Sequence, residues 1–292
     1  MRFGLIGADI TVTSLRARLA ALGWVEGRNL IVERRYTSGK PDLLKPMAEE
    51  LVRLKVDLIV AEGTVATLAA KNATNAIPIV VSRSADPVRT GLVASLARPG
   101  GNVTGTSTIF PDLGLKRLQL LRELLPAARR VGELEVPANP ISRATRNEYE
   151  HAYRLLGMQP IFAQVGQASD LEAAIDDCAR QGAQVLHANP EPLLYSNFPL
   201  ILRAAQRHSL PVIVDNRDML EAGGLISYSP DELELDHRLA FVIDKILRGA
   251  NPADLPIQQP TKLELLINLK AAKALGITVP QSLLVRANEL IR

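Results

Sequence analysis

Residues 77–108, IPIVVSRSADPVRTGLVASLARPGGNVTGTST, decide how this chain folds. The run over 77–81 is short, apolar and β-branched, which predicts a strand buried on both faces and therefore a central parallel strand. Residues 82–86 follow at its carboxyl end, where open α/β sheets bind ligands, and Pro87 removes a backbone donor and ends the pairing. A short helix is expected over 90–97, with Leu92, Val93 and Leu96 on one side. The Arg98-Pro99-Gly100-Gly101-Asn102 turn then leads into a second strand over 103–108. A second lobe is expected beyond it.

Toward the N-terminus, strand and helix patterns alternate: strand 2–7, helix 13–22, strand 30–36, helix 41–54, strand 56–61, helix 63–75. Such alternation implies βαβ units and a parallel sheet. Toward the C-terminus it resumes, with helix 113–125, strand 130–136, helix 141–156, strand 159–165, helix 169–181, strand 184–188, helix 195–208 and strand 211–214. A strand over 225–228 and a long helix over 231–248 follow, the latter with Leu235, Leu239, Val242, Ile243 and Ile246 as its buried stripe. The tail carries an apolar run over 263–269 and a helix over 270–275. The two halves thus repeat one architecture without repeating sequence. The expectation is α/β, two Rossmann-like lobes with parallel sheets flanked by helices. The first comprises 1–108 plus 231–258, the second 109–230 plus 259–292.

Composition bounds the function. With 292 residues and 47% hydrophobic content, the chain can bury the cores of two domains. The net charge of +3 arises from both signs scattered along the sequence. No basic block supports nucleic-acid binding. The single cysteine, Cys178, excludes an internal disulfide and a cysteine-based zinc cluster. No stretch reaches membrane-spanning length, and the opening on strand-like Arg2 to Ile6 gives no expectation of a signal peptide within these residues.

Catalytic and cofactor signatures are missing: no G-x-G-x-x-G after a strand, no phosphate-binding G-x-x-x-x-G-K-[ST], no G-x-S-x-G and no H-E-x-x-H. No catalytic residue, cofactor or metal is expected. His151, His208 and His237 sit among charges on expected helices. His187 differs, since it nears the end of a strand and precedes Asn189-Pro190-Glu191, so an acid/base pair with Glu191 is conceivable. Cys178 lies on the Leu171, Ala174, Ile175 face of its helix and reads as a small buried hydrophobe. What remains is a set of polar residues recurring at strand carboxyl ends: Glu62, Gly63 and Thr64; Arg83, Ser84, Ala85 and Asp86; Asn139; Asn189 and Glu191; Asp215, Asn216 and Arg217. The Gly63-Thr64 helix start offers free backbone N–H groups to a carboxylate or phosphate; alternatively, Thr64 is only a cap.

Five segments carry a resemblance: 19–29 (LAALGWVEGRN), 47–60 (MAEELVRLKVDLIV), 86–105 (DPVRTGLVASLARPGGNVTG), 223–230 (GGLISYSP) and 260–283 (PTKLELLINLKAAKALGITVPQSL). They closely resemble the ABC transporter substrate-binding protein family that includes tryptophan and tyrosine uptake proteins. The resemblance implies a type I periplasmic-binding fold, with a ligand cleft between lobes crossed by three strands. It also implies permease and ATPase partners at the membrane and a periplasmic or extracellular location. By resemblance, Gly63-Thr64 and Ala85-Asp86 are pocket positions of the first lobe, and Asn139, Asn189 and residues 214–217 face them from the second. Three departures stand out. The loop over 7–13 is several residues shorter than is usual, leaving Ala8, Asp9 and Thr11. Glu62 replaces a common serine, and Val214-Asp215-Asn216 replaces an aromatic-glycine-aromatic triplet.

The reading that follows is a solute receptor for a small polar molecule, such as an amino acid or related organic acid, closing on its ligand. Its carboxylate is expected at Gly63-Thr64 with Arg83, its amine or hydroxyls at Asp86 and Asp215, and Tyr195 as one apolar wall. The alternatives are an α/β enzyme using His187, Glu191 or Asp86, and a ligand-sensing domain of a transcription regulator, although no helix-turn-helix precedes the first strand.

Overall fold

The computed structural model describes residues 1–7, 13–108, 110–189 and 191–292. Ala8, Asp9 and Thr11, the expected remainder of the first loop, lie outside the described residues. In chain order the elements are β1 (Arg2–Gly7), α1 (Thr13–Ala21), β2 (Ile31–Tyr36), α2 (Leu44–Arg53), β3 (Leu58–Glu62), α3 (Gly63–Ala73), β4 (Ile79–Ser84) and β5 (Val103–Ser107). They continue with α4 (Phe110–Leu124), β6 (Arg130–Glu135), α5 (Pro140–Leu155), β7 (Gln159–Gln164), α6 (Leu171–Arg180), β8 (Val185–Ala188), α7 (Pro192–Ser196), α8 (Phe198–Arg207) and β9 (Val212–Val214). Last come α9 (Arg217–Glu221), β10 (Ile226–Pro230), α10 (Glu232–Leu247), β11 (Leu263–Asn268), α11 (Leu269–Ala274), α12 (Gln281–Arg286) and β12 (Glu289–Ile291).

Two α/β sheets result. Among the described residues, five strands form the first in the order β2-β1-β3-β4-β5, all parallel. Seven form the second in the order β12-β11-β10-β9-β8-β6-β7, parallel except for the β10–β11 pair. The chain divides into two compact units. The first is Met1–Phe110, Asn139–Ile141 and Asp231–Thr261; the second is Pro111–Ala138, Ser142–Pro230 and Lys262–Arg292.

The first unit is built around β3 and β4, whose residues Leu58 to Ala61 and Ile79 to Val81 are fully buried. One face packs on α2 and α3. On the other, Leu239, Val242, Ile243 and Ile246 of α10 cover Phe3, Leu58, Val60 and Val80, so a helix distant in sequence completes the first sheet's sandwich. Register slips between Val81 and Ser84 of β4 against β5. There Arg83 adopts φ +57 and its N–H donates to Thr106 Oγ1 at 3.0 Å. Such a bulge bends the strand end and redirects its side chains.

The helix expected over 90–97 does not form. Gly91 sits at φ +71, outside the helical region, and the segment closes as a turn in which Leu92 and Val93 N–H both donate to the Pro87 carbonyl, at 2.9 and 3.1 Å. Leu92 and Val93 are nonetheless buried against the β4 core. The helix expected over 195–208 is instead α7 and α8, broken at Asn197, whose side-chain amide donates to the Leu193 carbonyl at 2.8 Å. Pro199 starts the new helix, where a missing N–H costs nothing. In the tail, α12 and β12 were not anticipated. In the second unit, Cys178 is buried beside Gly132, and burial pushes its thiol up to about 11, which keeps it a neutral apolar group.

Gly105 sets the spacing of β4 and β5. Its φ is +136, and a Cβ there would stand 2.1 Å from the Val81 carbonyl oxygen. Gly105→Ala is expected to cost about 2 kcal/mol or more. A urea midpoint unchanged from wild type would contradict this.

Candidate functional site

Polar residues gather at the carboxyl ends of strands in both units, and each unit holds its own set. In the first, Thr64 and Ser84 are buried, and their hydroxyl oxygens lie 3.3 Å apart at the start of α3 and the end of β4. Arg83 does not point away from the protein: its Nη2 donates to Asp236 Oδ1 of α10 at 2.8 Å, and its Nη1 lies 3.8 Å from Glu62. Ser14 Oγ donates to the other Asp236 oxygen. Burial raises the pKa of Glu62, against the pull of Arg83 and Ser82. Asp86 accepts the Arg89 N–H at 2.9 Å and so folds its own turn, with the Arg89 guanidinium 3.6 Å away. The Ala85 carbonyl accepts Ser107 Oγ at 3.4 Å.

The second unit contains a chain of buried charges. Glu133 of β6, His187 of β8 and Asp215 just past β9 stand on three adjacent strands. Glu133 is paired in register with His187, and His187 with Ile213. His187 Nδ1 lies 3.0 Å from both Glu133 oxygens, and its Nε2 lies 3.0 Å from Asp215 Oδ1. Tyr153 of α5 donates its hydroxyl to Glu133. At the other end, Arg117 Nη1 of α4 lies 2.9 Å from Asp215 Oδ2, an ion pair without hydrogen-bond alignment, while Arg117 Nε donates to the Tyr228 carbonyl at 2.8 Å. The side chains of His187 and Asp215 are each 1% exposed.

The electrostatics follow from this arrangement. Burial alone would push the His187 imidazole down, but the carboxylates of Glu133 and Asp215 outweigh it and lift the ring to about 10. Burial likewise works against the charge on Asp215, yet Arg117 and His187 hold its carboxyl below the ordinary range. Burial raises Tyr149 and Tyr153, so both remain neutral phenols.

The conceivable acid/base pair of His187 with Glu191 is replaced by this chain, because β6 brings Glu133 to one ring nitrogen and the residue after β9, Asp215, meets the other. Asp215 is turned inward. Asn216 caps α9 by accepting the Met219 N–H at 3.0 Å, and Asn189 Oδ1 accepts the Glu191 N–H at 3.3 Å. Tyr195 is half-buried and donates to Asp218 at 2.6 Å, and Asn139 accepts the Ile141 N–H at 3.1 Å. Arg217 pairs with Glu289 at 2.8 Å and so ties β12 to the sheet.

Sequence reasoning missed Asp236, Arg117, Glu133, Tyr149 and Tyr153. Two signals were present: a carboxylate in the middle of the strand VGELEV, and an arginine four residues from both Leu113 and Leu121 on the buried side of its helix. No group of acidic, histidine or cysteine side chains suited to a metal ion occurs among the described residues.

The sequence profile of the ABC transporter substrate binding protein family matches residues 7–291. The chain belongs to this family. A tyrosine-binding protein of Clostridioides difficile is 27% identical over 255 residues, spanning 87% of this chain and 73% of that one. A crystal structure of a conserved domain protein from Vibrio cholerae superposes with a TM-score of 0.91 at 28% identity, covering 99% of this chain and 98% of the other. The ABC domain from Streptococcus pneumonia in complex with L-Trp shares the fold, with a TM-score of 0.90 at 24% identity over 99% of each chain. No helix among the described residues of this substrate-binding protein is long and apolar enough to cross a membrane.

The charge chain makes the protein's stability pH-dependent in a defined sense. His187 has a raised folded pKa, so its contribution is complete below the ordinary value near 6.5 and is lost as pH climbs toward about 10. Asp215 is depressed, so its contribution is present above the ordinary carboxylate range and lost as pH falls through its folded value. Melting temperature is therefore expected to fall between pH 7 and 10 in wild type, and to fall less in His187→Gln. Parallel pH profiles for the two proteins would contradict the charged imidazole.

Proposed function

We propose that this substrate-binding protein captures a free amino acid outside the cytoplasmic membrane and delivers it to the permease and ATPase subunits of an uptake transporter. The observation that carries the reading is the buried Thr64–Ser84 hydroxyl pair at the start of α3. There, unpaired helix N–H groups and two hydroxyls can receive a carboxylate. Relatives named for tyrosine and L-Trp binding support the ligand class.

In this reading the ligand contacts are Thr64, Ser84, the Ala85-Asp86 turn and Asn139, which the first unit carries although the resemblance implied the second, together with Asn189, Glu191, Tyr195 and Asn216. Two expected roles shift. Arg83 is engaged by Asp236 and Glu62, and Asp215 by His187 and Arg117. The ligand's amine is therefore assigned to Asp86, whose carboxylate is partly exposed. A receptor without turnover is favoured by His187, because both ring nitrogens face carboxylates and neither is left for an acid/base step.

Calorimetry against the L-amino acids, small organic acids and sugars tests this. An L-amino acid is expected to bind with micromolar or tighter affinity, and Thr64→Val to weaken it about tenfold, as for one lost hydrogen bond to a charged group. Binding only to a sugar, or an unchanged affinity in Thr64→Val, would overturn the assignment.

A further inference from the structure

The charge chain of the second unit makes no contact that the binding step calls for, yet it lies at or just inside the carboxyl ends of the strands that lead into the residues proposed to face the ligand. Glu133, His187, Asp215 and Arg117 alternate in sign across β6, β8, β9 and α4. A neutral imidazole carries one N–H and one lone pair, so against two carboxylates one nitrogen would face an acceptor with an acceptor. Between two carboxylates, neither of them protonated, only the imidazolium satisfies both sides. His187 lies two residues before Asn189, and Asp215 lies immediately before Asn216.

We propose that His187 is a positioning residue of the binding site: bridging Glu133 and Asp215, it locks the carboxyl ends of β6, β8 and β9 together, so that Asn189, Glu191 and Asn216 meet the ligand at fixed spacing. This rests on reading those three residues as ligand contacts. The titratable groups around the ring are Glu133 from β6, Asp215 after β9, Arg117 from α4, and Tyr149 and Tyr153 from α5. With both tyrosines neutral, the chain sums to zero charge. Replacing His187 by glutamine leaves two buried carboxylates and one arginine, and the uncompensated negative charge makes such a set bind a proton more readily than wild type. Replacing Glu133 by glutamine as well restores balance, leaving the Asp215–Arg117 pair and a glutamine able to donate to Asp215.

The test uses the full chain as wild type, H187Q and E133Q/H187Q. Affinity for L-tyrosine and L-tryptophan is measured by calorimetry between pH 5.5 and 8.5, with amide and imidazole NMR spectra recorded alongside. In wild type, both ring nitrogens of His187 are expected to be protonated at pH 8, and affinity to change less than about threefold across the range. H187Q is expected to bind about tenfold more weakly, with an affinity that follows pH, and to shift the amides of Asn189, Glu191 and Asn216. The double variant is expected to recover a flat profile, the wild-type amide positions and affinity within about threefold of wild type. A double variant as impaired as H187Q at every pH, or an H187Q protein that binds and resonates like wild type, overturns the proposal. If wild type binds neither amino acid, the ligand reading fails on its own, and the amide positions of the two variants decide the positioning role. If H187Q does not fold, E133Q takes its place with the opposite imbalance: the same amides are expected to move and the imidazole to titrate within the range, and neither happening overturns the proposal.

Discussion

A parallel sheet covered by helices on both faces has no side open to water, so each polar group it carries must reach a strand end or be matched inside. Both units obey this. In β3 and β4 the interior residues are aliphatic, and polarity begins at Glu62 and Ser82, where the strands run out. The ends thereby become the places where charge, hydroxyls and helix N-termini collect. β6 and β8 break the pattern, since Glu133 and His187 lie within strands. They are tolerated because adjacent register positions bring them onto each other.

The two charged clusters solve the burial problem differently. In the first unit Arg83 serves two carboxylates, Glu62 and Asp236, and the surplus negative charge is met by a Glu62 that burial pushes toward its protonated form. In the second, signs alternate along four groups and every carboxylate has a cation beside it. Replacing such pairs by apolar side chains often leaves a protein as stable or more so, whereas removing one partner leaves a charge stranded. What the clusters supply beyond stability is fixed geometry at the strand ends. Arg83 shows this locally: its left-handed backbone and bonds to Thr106 and Asp236 hold the bulge of β4 in place.

Much of this architecture is legible in the sequence, because hydrophobic period is local and strong. The strands at 2–7 and 130–136 and the long helix at 231–248 follow from patterning alone, whereas the family shows as a resemblance, above all over the run at 86–105. What failed depends on single residues or distant partners. Gly91 turned an apolar periodic stretch into a turn, and Asn197 with Pro199 broke one helix into two. The strand ends were found as places, but the orientation of their side chains was not. Asp215 faces inward because Arg117, about a hundred residues earlier, and His187 lie beneath it, and Arg83 is drawn to Asp236, 153 positions away. No local signal encodes such pairing. Glu133 carries no local mark of its role, because a carboxylate inside an apolar strand points to an exposed face only in sheets with a wet side.

Val214 completes the argument about recognition. It is a core residue packed with Leu186, Val212 and Met219, so of residues 214–216 it is Asn216 that remains at the end of β9. With Asp215 and Arg83 committed to internal partners, the groups left at the strand ends are mainly hydroxyls, amides and oriented N–H groups. In the proposed role they meet the ligand's carboxylate without stripping water from a full counter-charge, and Asp86, whose carboxylate stays partly exposed, meets the amine without the full cost of burying an ion pair. The same arrangement matters for release as well as capture. A receptor that must surrender its cargo is served by fixed hydrogen bonds that are mostly uncharged, and the internal charges act by holding those groups still.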